Sequence, residues 1–222
     1  MTLTKYGTDN IIIMLFAGAI ALILGIIFRD HWSSYIFYLL GTLIIVFTFL
    51  FFRDPERNIP KEAIEDESIV IAPADGKIVN IIKLDEVNYI KGKATQISIF
   101  LSPLDVHINR TPVSGIVEYY TYNPGAYMVA YHPKSSEKNE HSKIGVQTKY
   151  GKVLYKQIVG ILARRIVCTV KVGDTLQVGE KIGMMKFGSR MDIILPEGTE
   201  IIAKEGERVV GGESIIAKLK KN

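Results

Sequence analysis

The sequence predicts a mainly β soluble domain carried behind an N-terminal two-helix transmembrane hairpin. Three observations predict it. Two uncharged apolar runs open the chain. Short β-branched segments broken by Gly, Pro, Asp and Asn follow residue 52, and a glycine-spaced unit occurs twice near the C-terminus. The predicted division is a hairpin over 1–52, a polar linker over 53–66 and a β-rich catalytic domain over 67–222.

The apolar runs are Ile11 to Phe28 and Ser33 to Phe52. At 1.5 Å per residue, each is just long enough to cross about 30 Å of hydrocarbon as a helix. Both are apolar on every face, which disfavours a buried soluble hairpin. The first run lacks a small-x-small cleavage site, and the second follows at once, which disfavours a signal peptide. The short link "RDHWSS" returns the chain to the side it came from. Lys5, Arg53, Arg57 and Lys61 flank the hairpin against Arg29 in the turn, so both ends are expected on the cytoplasmic side of the cell membrane. The net charge of +4 suits a domain beside anionic lipid. No basic stripe with interleaved aromatics points to nucleic acid.

After the linker "RDPERNIPKEAIEDES", the segments "SIVIAPADGKIVNIIKL", "ATQISIFL", "GIVEYYTY", "GKVLYKQIVGIL" and "RRIVCTVKV" read as strands. Cys168 stands alone, so no internal disulfide exists and a buried strand position is its simplest role. "VGDTLQVGEKIG" from Val172 aligns with "EGERVVGGESII" from Glu205, pairing Gly173 with Gly206, Gly179 with Gly212 and Ile182 with Ile215. Such paired turn–strand units fit a barrel-sandwich, lipoyl/biotinyl-like fold.

The hairpin "IGMMKFGSRMDI" then admits two readings. A carrier domain would present Lys186 there, exposed, for biotinylation or lipoylation. Alternatively, Gly188-Ser189 is a bond that cuts itself. The Ser189 hydroxyl attacks the preceding carbonyl, which a glycine leaves unhindered, and the ester then breaks by β-elimination to a dehydroalanine that becomes a pyruvoyl group. A non-enzymatic β-sandwich adaptor is a third possibility. Self-cleavage needs a base, and the chain has four histidines. His31 lies in the hairpin turn. His132 and His141 flank the charged "PKSSEKNE" and read as solvated. His107, in "FLSPLDVHINRTPVSG", has Asp105 two residues before it and Arg110 three after, and is the candidate base. Asp105 and Asp75 (in "APADGKIV") are the candidate orienting carboxylates. The segment "YYTYNPGAYMVAYHP" reads equally as a lipid-facing surface or as barrel packing.

Together "FFRDPER", "APADGKI", "SPLDVHINRTPVSG", "GILARRIVC", "FGSR" and "LPEGT", behind an apolar hairpin, resemble the short prokaryotic form of the phosphatidylserine decarboxylase family along nearly the whole chain. The resemblance implies a proenzyme cleaved between Gly188 and Ser189 into a β chain (1–188) and an α chain (189–222). It further implies a pyruvoyl cofactor made from Ser189 that forms a Schiff base with the lipid's serine amine. A homodimer is also implied, with no metal. The substrate would be phosphatidylserine or a related serine phospholipid, such as its archaeal counterpart. By the same carry-over Asp75 matches the Asp of the processing triad, and His107 the histidine of decarboxylation. Arg110 stands where longer relatives have a second histidine. Arginine is no base near neutral pH, so either His107 serves both steps or another base acts. Arg110, Arg164 and Arg190 are candidates to hold the lipid's carboxylate or phosphate.

Overall fold

The structure, a computed structural model, describes residues 2–125, 139–160, 165–186 and 189–221. It divides into two compact units, residues 1–56 and 57–222.

In the first unit, helices α1 (Thr8–Ile27) and α2 (Ser33–Phe51) form an antiparallel pair. Both are long and apolar enough to cross a membrane. Their seam is made of small residues. A side chain on Gly18 or Gly41 would run into the other's carbonyl oxygen, at 3.3 and 2.9 Å, so glycine lets the backbones approach. Short strands β1 (Thr2–Leu3) and β2 (Arg53–Asp54) pair antiparallel across the ends of the hairpin.

The second unit is mainly β. A short helix α3 (Lys61–Glu65) precedes strands β3 (Ile69–Ile71), β4 (Gly76–Glu86), β5 (Gly92–Leu101), β6 (Ile108–Arg110) and β7 (Gly115–Asn123). Then come β8 (His141–Thr148), β9 (Gly151–Val159), β10 (Ile166–Cys168), β11 (Thr175–Leu176) and β12 (Lys181–Met185). The chain ends with β13 (Ser189–Pro196), β14 (Glu200–Ile201), β15 (Arg208–Val209) and β16 (Ile215–Lys218). Among the described residues, the main sheet runs β11-β7-β8-β9-β13-β5-β4-β15 and curls into a half-barrel. Smaller sheets β10-β12-β6 and β14-β16-β3 accompany it. Strand alternation sends Ile97, Ile99, Leu101, Ile144, Val146, Val153, Tyr155, Met191 and Ile193 into one core.

The glycine-spaced units are a true structural repeat. Gly173 donates to Val117 O at 2.8 Å while Val117 donates to Asp174 O; Gly206 donates to Ile78 O at 2.8 Å while Ile78 donates to Glu207 O. The turn glycines share one left-handed conformation, with φ of +96° and +82° in the first unit and +86° and +85° in the second. Those angles are why glycine recurs at that spacing.

Candidate active site

Ser189 opens β13, the strand between β5 and β9, directly opposite Leu101 and Val159. Its side chain is 0% exposed, and among the described residues its Oγ has no hydrogen-bond partner. Because side chains alternate, Ser189 shares the core face with Met191 and Ile193, whereas Arg190 and Asp192 point to the opposite face. A buried hydroxyl without a partner costs stability, so its persistence calls for a chemical reason.

The same face carries a polar chain. Gln157 lies opposite Met191 and is a diagonal neighbour of Ser189 across the β9–β13 pair, within reach of a long side chain. Its Nε2 donates to Asn109 Oδ1 at 2.8 Å, and its Oε1 accepts from Ser142 Oγ at 2.7 Å. All three residues are fully buried. Asn109 belongs to β6, so this contact seats β6 over the face that carries Ser189. Asn109 Nδ2 itself has no partner among the described residues. Strand β6 also pairs with β12, Ile108 lying opposite Met184, and β12 is the strand whose chain continues toward Ser189.

His107 immediately precedes β6 and is fully buried. Its Nδ1 lies 2.8 Å from the main-chain oxygen of Asp105. A carbonyl can only accept, so Nδ1 carries the proton and Nε2 is the basic nitrogen of the neutral ring. The Asp105 carboxylate is engaged elsewhere: it accepts from the Ser102 amide at 2.8 Å and pairs with Arg208. Asp105 therefore orients the histidine through its backbone.

The other predicted residues that are described are engaged by partners of their own. Asp75 makes a bidentate pair with Arg57 at 2.8 and 2.9 Å, and accepts from the Gly211 amide at 2.8 Å. Arg110 donates to Gly179 O at 2.8 Å and, by alternation along β6, lies on the face opposite Asn109. Arg190 pairs with Asp192 through two contacts of 2.8 and 2.9 Å, which lets a central strand bury both charges. Gly188, Arg164 and His132 lie outside the described residues.

The carrier alternative loses its support, and one expectation needs correction. Lys186, which a carrier domain would expose, is 4% exposed, and its amide donates to Arg165 O. A carrier site would need that ammonium in solvent, and here the strand leads it inward. His141, read as solvated, is 5% exposed at the start of β8, with Nδ1 2.7 Å from Asn139 O. Burial lowers its pKa, helped by Lys143 and Lys156 and opposed by Asn139 O and Asp192. It stands in register with Ile158 and so, through Arg190, on the face opposite Ser189.

Asn109, Gln157 and Ser142 were not among the expected site residues. Their signal was nonetheless present, since Gln157 and Ser142 are polar residues in the inward register of strands otherwise apolar there. Arg57 was likewise read only as a flanking charge of the hairpin.

A family model described as phosphatidylserine decarboxylase matches residues 44–217. A phosphatidylserine decarboxylase proenzyme of Salinibacter ruber is 48% identical over 176 residues, 79% of this chain and 77% of that one. Its namesake in Carboxydothermus hydrogenoformans is 46% identical over 183 residues, 82% and 84% of the two chains. The Chlorobium luteolum proenzyme is 39% identical over 217 residues, 97% of this chain and 99% of that one. With identity that high along most of both chains, this chain belongs to the phosphatidylserine decarboxylase family.

Proposed function

We propose that Ser189 is the residue at which this chain cuts itself and from which its catalytic group is made. The protein is a phosphatidylserine decarboxylase produced as a self-processing proenzyme. The observation that carries the assignment of Ser189 is its buried hydroxyl, without a partner among the described residues, at the head of the central strand and on the face that Asn109 reaches.

In self-cleavage the Ser189 Oγ attacks the carbonyl carbon of residue 188. The hydroxyl proton passes to a base and from there to the departing nitrogen of Ser189, converting the amide to an ester. A second proton abstraction, at the Ser189 Cα, expels the acyl chain as the carboxylate of residue 188 by β-elimination and leaves a dehydroalanine, whose imine tautomer takes up water and releases ammonia to give the pyruvoyl carbonyl. His107 is the proposed base, acting through Nε2 because Nδ1 is committed to Asp105 O. The two resulting chains, β and α, stay together through the pairing of β13 with β5 and β9. A pyruvoyl group at position 189 supplies a carbonyl that takes up the lipid's serine amine and draws off electrons as carbon dioxide leaves. His107 then delivers a proton to the substrate Cα. Its burial excludes bulk water from that step.

For the lipid's anionic groups the proposed partners are Arg110, Arg164 and Arg190. Arg110 and Arg190 would exchange Gly179 O and Asp192 for the ligand. Asp75 enters through the family motif, and we assign it to securing the turn at Gly211 beside Arg57. The catalytic unit works as a homodimer on the cytoplasmic face of the cell membrane, held there by α1 and α2.

The test is release of carbon dioxide from carboxyl-labelled phosphatidylserine in detergent micelles. Wild type should release it and Ser189→Ala should not. Equal release by the two would refute the assignment.

A further inference from the structure

Two buried polar atoms on one face of the half-barrel lack partners among the described residues: Ser189 Oγ and Asn109 Nδ2. The first is accounted for as the nucleophile. The second is a buried amide donor, set by the relay it belongs to. In this structure Ser142 gives its hydroxyl hydrogen to Gln157 Oε1, and Gln157 Nε2 donates to Asn109 Oδ1. The relay Ser142–Gln157–Asn109 thereby turns the Asn109 N–H group away from Gln157. Register places the relay beside the nucleophile. Gln157 is the diagonal cross-strand neighbour of Ser189, and the Asn109 carboxamide sits against Gln157.

We infer that Asn109 is the oxyanion donor of self-cleavage, its Nδ2–H stabilising the charge that develops as Ser189 attacks. The inference rests on Ser189 being the nucleophile. In that step the bond from Oγ to the carbonyl carbon forms, and the carbonyl π electrons move onto its oxygen. They return as the C–N bond breaks and the nitrogen takes the proton. The oxygen is anionic only in between, and covalent connectivity keeps it within one residue of Ser189. A donor already fixed and dehydrated needs no reorganisation at that moment, which is what makes such groups effective. It also accounts for a buried N–H without a partner among the described residues.

The test follows conversion of full-length chain to two chains with time, after cell-free synthesis of the whole protein into detergent micelles. Asn109→Asp keeps an oxygen for Gln157 Nε2, so β6 remains seated, but it removes the amide donor. Conversion should slow by about 100-fold or more, the usual effect of losing one such donor. Gln157→Glu gives a second route with Asn109 intact. A carboxylate at 157 accepts from Asn109 Nδ2 and withdraws it from the site, so conversion should slow to a similar degree. Thermal unfolding of both variants should remain cooperative, which separates lost chemistry from lost fold. Conversion of both variants within about threefold of wild type, with Ser189→Ala uncleaved, would overturn the role of Asn109 alone, set against the hundredfold expected for an oxyanion donor. Cleavage of Ser189→Ala at the same bond would instead overturn the reading beneath it.

Discussion

His107 is held by the backbone of Asp105 and not by its carboxylate: Nδ1 lies 2.8 Å from the Asp105 carbonyl oxygen. The carboxylate closes the turn at Ser102 and pairs with Arg208, whose side chain is largely exposed. Backbone orientation fixes the tautomer without placing a second negative charge beside the base. Asp105→Asn should therefore retain self-cleavage and decarboxylation within a few-fold. It should lose about 1 kcal/mol of stability, because asparagine can still accept from the Ser102 amide and the arginine end of the lost pair is largely exposed. His107→Ala should abolish decarboxylation in the labelled-lipid assay. Loss of cleavage in the same variant would show one histidine serving both steps.

Asp75 and Ser114 hold equivalent places in the internal repeat. Asp75 Oδ1 accepts from the Gly211 amide at 2.8 Å, and Ser114 Oγ accepts from the Val178 amide at 2.9 Å. Serine is thus a natural replacement, and Asp75→Ser should keep the turn while leaving the little-exposed Arg57 guanidinium uncompensated. In a double-mutant cycle of Asp75→Ser with Arg57→Ala, denaturant unfolding should give a coupling of about 1–3 kcal/mol. A coupling near zero would remove the ion pair from the account of this turn.

His141 makes stability depend on pH. Burial lowers its folded pKa below its unfolded value, so the unfolded chain binds the extra proton first. Its contribution is present above the unfolded pKa of about 6.5 and is lost as pH falls through the lowered folded value. The thermal midpoint of wild type should decline as pH is lowered below that point. In His141→Asn, which can still donate to Asn139 O, the decline should be shallower. Parallel curves would contradict the assignment.

The hairpin and the β domain were legible because they rest on local pattern. Two apolar runs of membrane length, and segments such as "ATQISIFL" alternating at period two, admit few other structures. The repeat was legible because its turns need positive φ and only glycine adopts it readily. What pattern cannot carry is the face toward which a strand turns its residues, since that depends on long-range register. Adjacent in sequence, Ser189 and Arg190 look like one site, yet β13 sends them to opposite faces. The charged segment before His141 made it look solvated, although the inward strand begins at that residue. Lys186 resembled an exposed carrier lysine for a similar reason, its hairpin being known from the repeat but not its burial. The relay from Ser142 through Gln157 to Asn109 joins the β8–β9 pair to β6 of another sheet, so it took tertiary structure to bring it together.

The most direct test of the central claim is the intact mass of the purified wild-type protein beside that of Ser189→Ala. The account predicts two wild-type chains parted between residues 188 and 189, the shorter one carrying a pyruvoyl group that blocks its N-terminus, and one full-length Ser189→Ala chain. Cleavage at that bond in Ser189→Ala, or an active wild-type enzyme of a single unmodified chain, would contradict it.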